Sequence, residues 1–576
     1  VSGAMSTVAE LFRMWGMVDR VRDTAGRQRG IDGATTADAG PTGATGPTAP
    51  TSTATVPYPG RRVERRGWWM VGALTATVAM TWIPWLNAPF GDNHLGRIIG
   101  RYALHLRNLQ QQGLLGSQFG ADWQPYASAP YAHHPPLLNL LTALTGLLPG
   151  DGEYQVWLPA YLLALLIIPA GAALLRGFGI RWSATLLALG LMVATPFYWV
   201  YSPLMFDLGL ILALSAIVVR LRARPDPSPG LVAAACATAL LSTLVSWPGM
   251  VSAAVLGLWL FAARRIDRVT VLVGASMLAG LVLSLAFVVG VTGLTLLGGQ
   301  AELRSTGGSH TVWRFLRRQA YFASSLLPVW YLGALPLAMV AGLLDRRSRG
   351  YLAMATGFTV LWVVGLNNGA YMHSYWSYPG LVVGLVGMGV LLDRVAGRLS
   401  GRPGEAPAAP IPPVTGNGPR AALRRAPRTV ARTTSRLAAR RPARVAVTVL
   451  IGAALGTYLG TLVLGPVGQR LLAEPARAGR LVAAHPPSVG QRYAWVAGPA
   501  ITSPRWLAYY WQLTPQMLTP EILRSDPVPG AGDLVLVNLE RPPDWLSGSI
   551  EAGVVARDGP YALVPVATVR NALTPS

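Results

Sequence analysis

What most constrains this chain is a rhythm. Apolar segments of about 17 to 25 residues, each long enough to cross a bilayer core, recur between short clusters of arginine. Of the 576 residues, 52% are hydrophobic and only 13% are charged, where a soluble protein carries about 25% charged residues. The reading that follows is an all-α polytopic membrane protein. A net charge of +23 would suit a nucleic-acid partner if it formed a face. Here the arginines flank apolar runs instead, the charge signature of cytoplasmic loops. Every basic residue is arginine, so no chemistry that needs lysine is available. The lone cysteine, Cys236, lies inside an apolar segment and allows no intrachain disulfide and no cysteine-based zinc site.

Arginine placement sets the topology. Residues 1–66 read as a cytoplasmic tail, rich in Gly, Pro, Thr and Ala, that can bury no core, rather than a cleavable leader. The first span is expected from Trp68 to Leu86, with Arg61, Arg62, Arg65 and Arg66 holding its start inside and Asp92 emerging outside. "PPLLNLLTALTGLL" is too short to span comfortably and reads as an interfacial or re-entrant helix, with Pro135 and Pro136 in its first turn. Further spans are expected at 155–175, 183–200, 205–221, 230–246, 249–263, 269–290, 326–344, 351–366, 379–397 and 445–465, about eleven in all. The membrane core is thus 67–397, with outer loops 88–154 and 293–325. A basic, Pro/Ala-rich cytoplasmic loop fills 398–443 and a last span lies within 444–465. Residues 466–576 form a small extracytoplasmic α/β domain, with a helix in "SPRWLAYYWQLTPQML", a strand in "DLVLVNLE" and a hairpin in "GVVARDGPYALVPVATVR".

Unusual polar residues gather on the outer side. Asp92, backed by His94, stands where a carboxylate could take a proton from a hydroxyl at the membrane surface; alone it also reads as a solvated loop aspartate. Arg97, Arg101 and Arg107 are outer cations against the trend of the chain. So are Arg304, Arg314, Arg317 and Arg318, the last three at helical spacing, able to face a phosphate or anionic headgroups. His133 and His134 in "PYAHHPPLL" are candidate metal ligands or phosphate contacts; adjacent histidines point apart, and no spaced ligand set accompanies them. Asp207 opens a span with no basic neighbour, as acids lining polar cavities do. His373 and Tyr375 open another on the same face.

Four motifs now stand in order: "GDNH" after the first span, "YAHHPPLL" closing the first outer loop, "ATPFYWVYSPLMFD" at a later exit, and "HSYWSYP" before a late span. In order and sidedness the chain resembles the family 39 glycosyltransferases of the GT-C fold, the group of the protein O-mannosyltransferases and the aminoarabinose transferases. The resemblance covers about 68–397. Many relatives carry Asp-Glu where this chain has Asp92-Asn93, and a lysine or single histidine where it has His133 and His134.

The resemblance implies an inverting transfer of a monosaccharide from a polyprenyl-phosphate donor to a hydroxyl of a glycan, lipid or protein. Asp92 would be the base. His94, Arg97, Arg107, His133, His134, Asp207, Arg317, His373 and Tyr375 would bind substrate. No cofactor is required; a divalent metal is compatible but not needed. A lipid-linked sugar transporter or flippase would instead show mid-membrane charges and internal repeats. A cell-wall-binding scaffold would leave the outer acid, arginines and histidines without a role. The arginine-only, Ala/Gly-rich composition suggests a bacterial plasma membrane, with the N-terminus cytoplasmic and the C-terminal domain outside.

Overall fold

A computed structural model describes residues 60–132, 134–150, 152–305, 310–399, 473–498, 501, 504–524, 529–546 and 550–573. Most of the N-terminal tail, His133, most of the basic loop and the last expected span at 445–465 lie outside the described residues.

The membrane portion is a run of helices: α1 Gly60–Trp82, α2 His94–Gly116, α3 Leu137–Thr145, α4 Tyr154–Gly177, α5 Trp182–Val193, α6 Pro196–Tyr201 and α7 Leu208–Ala223. It continues through α8 Pro229–Val245, α9 Trp247–Arg264, α10 Arg268–Ser305, α11 Val312–Leu326, α12 Val329–Leu343, α13 Arg349–Gly365, α14 Asn367–Met372 and α15 Gly380–Leu399. Among the described residues, four helices are long and apolar enough to cross a membrane, or six if each of two bent pairs is one span. The chain is therefore a multi-pass membrane protein, and the expected count of about eleven is not reached among the described residues. One expected span, 183–200, is broken: α5 and the segment from Pro196 meet at 66°. Pro196 causes this, starting a new helix with Thr195 as its N-cap. The first expected span begins earlier than Trp68, within the arginine run. The segment 88–154, expected as an outer loop, is about half helical: α3 stands where "PPLLNLL" predicts it, and α2 is a second helix.

Capping and small residues explain the tight packing. Ser246 alone joins α8 to α9: it is extended, and its Oγ accepts the Gly249 N–H at 2.9 Å. The 230–263 hairpin is thereby fixed by one residue. Gly209 on α7 faces the Leu163 carbonyl of α4, where a Cβ would sit 2.7 Å from that oxygen. Gly387 on α15 meets the Ala338 backbone of α12 in the same way. Small residues permit such backbone approach where lipid supplies no hydrophobic drive between helices. At the end of the bundle away from α2, Asp393 accepts from Arg181 at 2.8 Å and from Arg347 at 3.2 Å. Arg347 also pairs with Asp345 at 3.0 Å. This network ties α5, the α12–α13 turn and α15 together.

The C-terminal domain comprises α16 Glu474–Ala484, β1 Tyr493–Ala497, α17 Arg505–Trp511, β2 Thr514–Met517, α18 Pro520–Arg524, β3 Leu534–Asn538, β4 Ala556–Asp558, β5 Tyr561–Pro565 and α19 Val566–Asn571. Its sheet runs β2-β1-β3-β5-β4, parallel at β1 with β2 and β3, antiparallel at β3 with β5 and β5 with β4. Period-two alternation sorts the strands between two cores. Ala494, Val496, Leu536 and Leu563 join the core shared with the bundle. Trp495, Val535, Val537 and Val564 pack beneath α19. Two expectations are corrected. The helix in "SPRWLAYYWQLTPQML" stops at Trp511, because Gln512 takes a left-handed conformation and Pro515 cannot continue it; the rest is edge strand β2. The hairpin at Asp558-Gly559 forms, but "VATVR" turns into α19.

The domain is locked to the bundle through α2 and α17. Trp506 is fully buried against Gly100, where a Cβ would lie 3.0 Å from it. Tyr510 accepts the Phe90 N–H and donates to Glu153, both at 2.9 Å.

Candidate functional site

The site starts at the N-terminus of α2. Asn93 caps this helix, its Oδ1 accepting the Gly96 N–H at 2.5 Å, which gives the asparagine after Asp92 a definite structural task. Asp92 is held by Arg97 at 2.7 Å, with only 4% of its side chain exposed. Its charge reaches Tyr561 of β5. Burial pushes the Asp92 carboxyl up to about 6, with Arg97 opposing.

Helical spacing puts His94, Arg101 and His105 on one stripe of α2. Arg107 falls on the other flank, where it donates to the Tyr509 carbonyl and lies 4.2 Å over the Tyr509 ring. Its geometry therefore serves the docking of α17.

Along the stripe, His94 packs 5.0 Å from Tyr375 and 5.3 Å from His373. His373 Nε2 meets Arg304 Nη1 at 2.6 Å, and Arg304 lies over Trp376 at 5.4 Å. Arg101, buried, sits between Tyr131 at 4.3 Å and Tyr102 at 4.6 Å. From the C-terminal domain, Arg505 at the start of α17 lies over Trp123 and Tyr126 at 5.3 and 5.5 Å. Its charge acts on His94, Arg101 and His105. His134 flanks Tyr131, ring centroids 6.3 Å apart. Two hydroxyl contacts fix the segment that carries His373 and Tyr375: Ser374 with Tyr201 at 2.6 Å, and Tyr378 donating to Asp207 at 2.6 Å.

The result is an aromatic-walled cluster, hereafter the chamber, that gathers Arg101, Arg304 and Arg505 with three histidines. Among the described residues, no carboxylate figures in the electrostatic surroundings of His94, Arg101, His105, His373 or Arg505. The Nε atoms of Arg101 and Arg505 and Nε2 of His94 are buried and make no hydrogen bond. Burial, aided by His373, Arg97, Arg505 and Arg304, pushes the His94 imidazole down to about 3. Burial and then Arg304 push His373 down to about 4. Both are neutral near pH 7, and the guanidiniums of Arg101 and Arg505 lie against tyrosine rings, a setting that suits an anion. Among the described residues, no group of three His, Cys, Asp or Glu gathers to hold a metal ion.

Of the residues singled out from sequence, His94, His373 and Tyr375 come together, and Arg97, paired with Asp92, acts through its charge on His94. His134 stands at the rim, and His133 lies outside the described residues. Asp207 is a buried anchor held by Ser246 and Tyr378. Arg317 is exposed on α11, outside the chamber. Arg101, His105, Arg304 and Arg505 were not assigned to the site. The 94/101/105 spacing could have found the first two; Arg505 carried no sequence signal.

No protein-family model and no curated protein matches the chain. It is similar in fold to two crystal structures of ArnT from Cupriavidus metallidurans, both at 18% identity. The apo structure aligns with a TM-score of 0.48 over 89% of this chain and 100% of that one. The structure bound to undecaprenyl phosphate aligns with a TM-score of 0.49 over 88% and 99%.

Proposed function

We propose that this protein transfers a monosaccharide from a polyprenyl-phosphate donor to a hydroxyl on a cell-envelope glycan, lipid or protein, with inversion, at the outer face of the membrane. The observation that carries this reading is the cluster of Arg101, Arg304 and Arg505 with His94 and His373, in which Arg101 is buried, beside a carboxylate whose affinity for protons is raised. Such a cluster suits a phosphate that gains charge as it leaves.

In this mechanism the donor phosphate lies in the chamber, and His134 flanks its rim. The acceptor oxygen attacks the anomeric carbon while the bond from that carbon to the phosphate oxygen breaks. Asp92 takes the hydroxyl proton, and polyprenyl phosphate departs with the bonding electrons, its charge met by the guanidiniums. A carboxylate titrating near 6 is poised for proton transfer around neutral pH. Arg97 connects the two halves of the site. The outer placement is supported by arginine sidedness: Arg181, Arg222, Arg264 and Arg347 sit at the far end of the bundle, while the chamber arginines are enclosed by protein.

The test uses purified full-length protein in vesicles with radiolabelled polyprenyl-phosphate sugars, following release of free polyprenyl phosphate. Release is expected with at least one sugar and lost in Asp92→Asn. A well-folded Asp92→Asn protein that releases at the parent rate would remove Asp92 as the base. A parent protein that moves the intact lipid-linked sugar across the bilayer without releasing it would identify a flippase.

A further inference from the structure

Helix α11 takes no part in the chamber, yet its side chains divide into three sectors that ask for a specific surrounding. One sector faces protein: Phe322 and Leu326 are 6% and 7% exposed, and Gln319 donates to the Ala370 carbonyl of α14 at 2.8 Å. Rotating around the axis at 100° per residue, the next sector is apolar and bare. It holds Val312, Trp313 and Leu316, exposed by 76%, 74% and 52%. The third holds Arg314, Arg317 and Arg318 with Tyr321, the last 60% exposed. No acidic residue lies within the helix. The apolar helix that follows, Tyr331–Leu343, departs at 107°, so if that segment crosses the bilayer, α11 lies nearly in its plane.

We infer that α11 docks on an anionic lipid surface, its apolar sector sunk into the acyl boundary and its arginine sector on headgroup phosphates. Water on Val312, Trp313 and Leu316 would leave a large apolar stripe exposed, whereas an interfacial helix satisfies both bare sectors at once. Arginine is suited to this role because its planar fork binds phosphate oxygens in pairs. The link to the chamber is short. Gln319 and Arg318 grip α14 at Ala370 and Tyr371, and α14 leads directly into His373.

A single fluorophore placed by Ala320→Cys in a Cys236→Ala background tests this in the full-length protein. The protein is reconstituted in phosphatidylcholine vesicles with or without phosphatidylglycerol. Doxyl-labelled phosphatidylglycerol is expected to quench the probe more than doxyl-labelled phosphatidylcholine. That preference should fall about fivefold for each arginine replaced in Arg314→Gln and Arg317→Gln, and should weaken as salt is raised. Equal quenching by the two lipids in the unsubstituted helix would overturn the inference. So would iodide quenching as strong as that of a probe in open water. Neither readout depends on sugar transfer, so the lipid-surface assignment and the transferase reading succeed or fail separately.

Discussion

Arg97 pairs with Asp92 at 2.7 Å while its charge also bears on His94. One guanidinium therefore ties the proposed base to the proposed phosphate chamber, and a donor phosphate arriving at the chamber would compete with Asp92 for it. Burial raises the Asp92 carboxyl to about 6 and Arg97 opposes that rise. Transfer should fall as pH drops through about 6, since protonated Asp92 accepts no proton. In Arg97→Gln the opposing cation is gone, so the acid limb of the kcat profile should move to higher pH. An unmoved acid limb would take Arg97 out of this role.

The histidines should report the ligand. Burial and neighbouring charges hold His94 down at about 3 and His373 at about 4, so both are neutral at pH 7. A bound phosphate favours their charged forms and raises both values, so binding takes up protons and tightens as pH falls. Calorimetry of polyprenyl phosphate binding in buffers of different ionisation enthalpy should detect this uptake. The double variant His94→Gln/His373→Gln should bind with a flatter pH dependence.

Two arginines separate phosphate binding from domain docking. Arg505→Gln removes a buried cation from the chamber and should weaken polyprenyl phosphate binding roughly 10- to 100-fold, the worth of a charge-assisted hydrogen bond. Arg107→Gln breaks the hold on Tyr509. It should leave that affinity nearly unchanged while lowering the thermal unfolding midpoint. A reversal of the two outcomes would exchange their roles.

The Asp393 network predicts a stability effect far from the chamber. Asp393 is largely buried and serves Arg181 and Arg347 at once, although Arg181 is partly solvated. Asp393→Asn keeps the shape but loses both ion pairs, and should cost about 2 kcal/mol. Chemical unfolding in detergent would measure the loss, with phosphate binding at the folded protein unaffected.

Asn93→Ala deletes the cap of α2 and should destabilise the protein by about 1 kcal/mol, whereas Asn93→Ser should retain most of it. Thermal unfolding of the two variants distinguishes a cap from a substrate contact.

The helices were legible because apolar length and arginine placement are properties of contiguous residues. "PPLLNLL" reads directly as α3 for the same reason, and "DLVLVNLE" as β3. The chamber was legible only in pieces. His94 and His373 stand 279 positions apart in the sequence, and motif order alone suggested that they meet. The helical state of α2, with Arg107 on its reverse flank, has no such local signal, since "RYALHLRNLQQQ" is polar enough to pass for a loop. Arg505 was invisible for a different reason. Its role depends on how a sheet with two apolar faces docks, and the strand pattern states that both faces are buried without saying against what.

That docking also settles how the chain can be divided. At the start of α17, Arg505 enters the chamber and Trp506, its next neighbour, fills the niche above Gly100. One peptide step thus joins the Arg505 guanidinium, set against Trp123 and Tyr126, to the main wedge between sheet and bundle. Severing the C-terminal domain would remove Arg505 and Trp506 together and bare the apolar surface of α2. The membrane helices and the C-terminal sheet share one hydrophobic core, so removing either leaves apolar surface of the other bare.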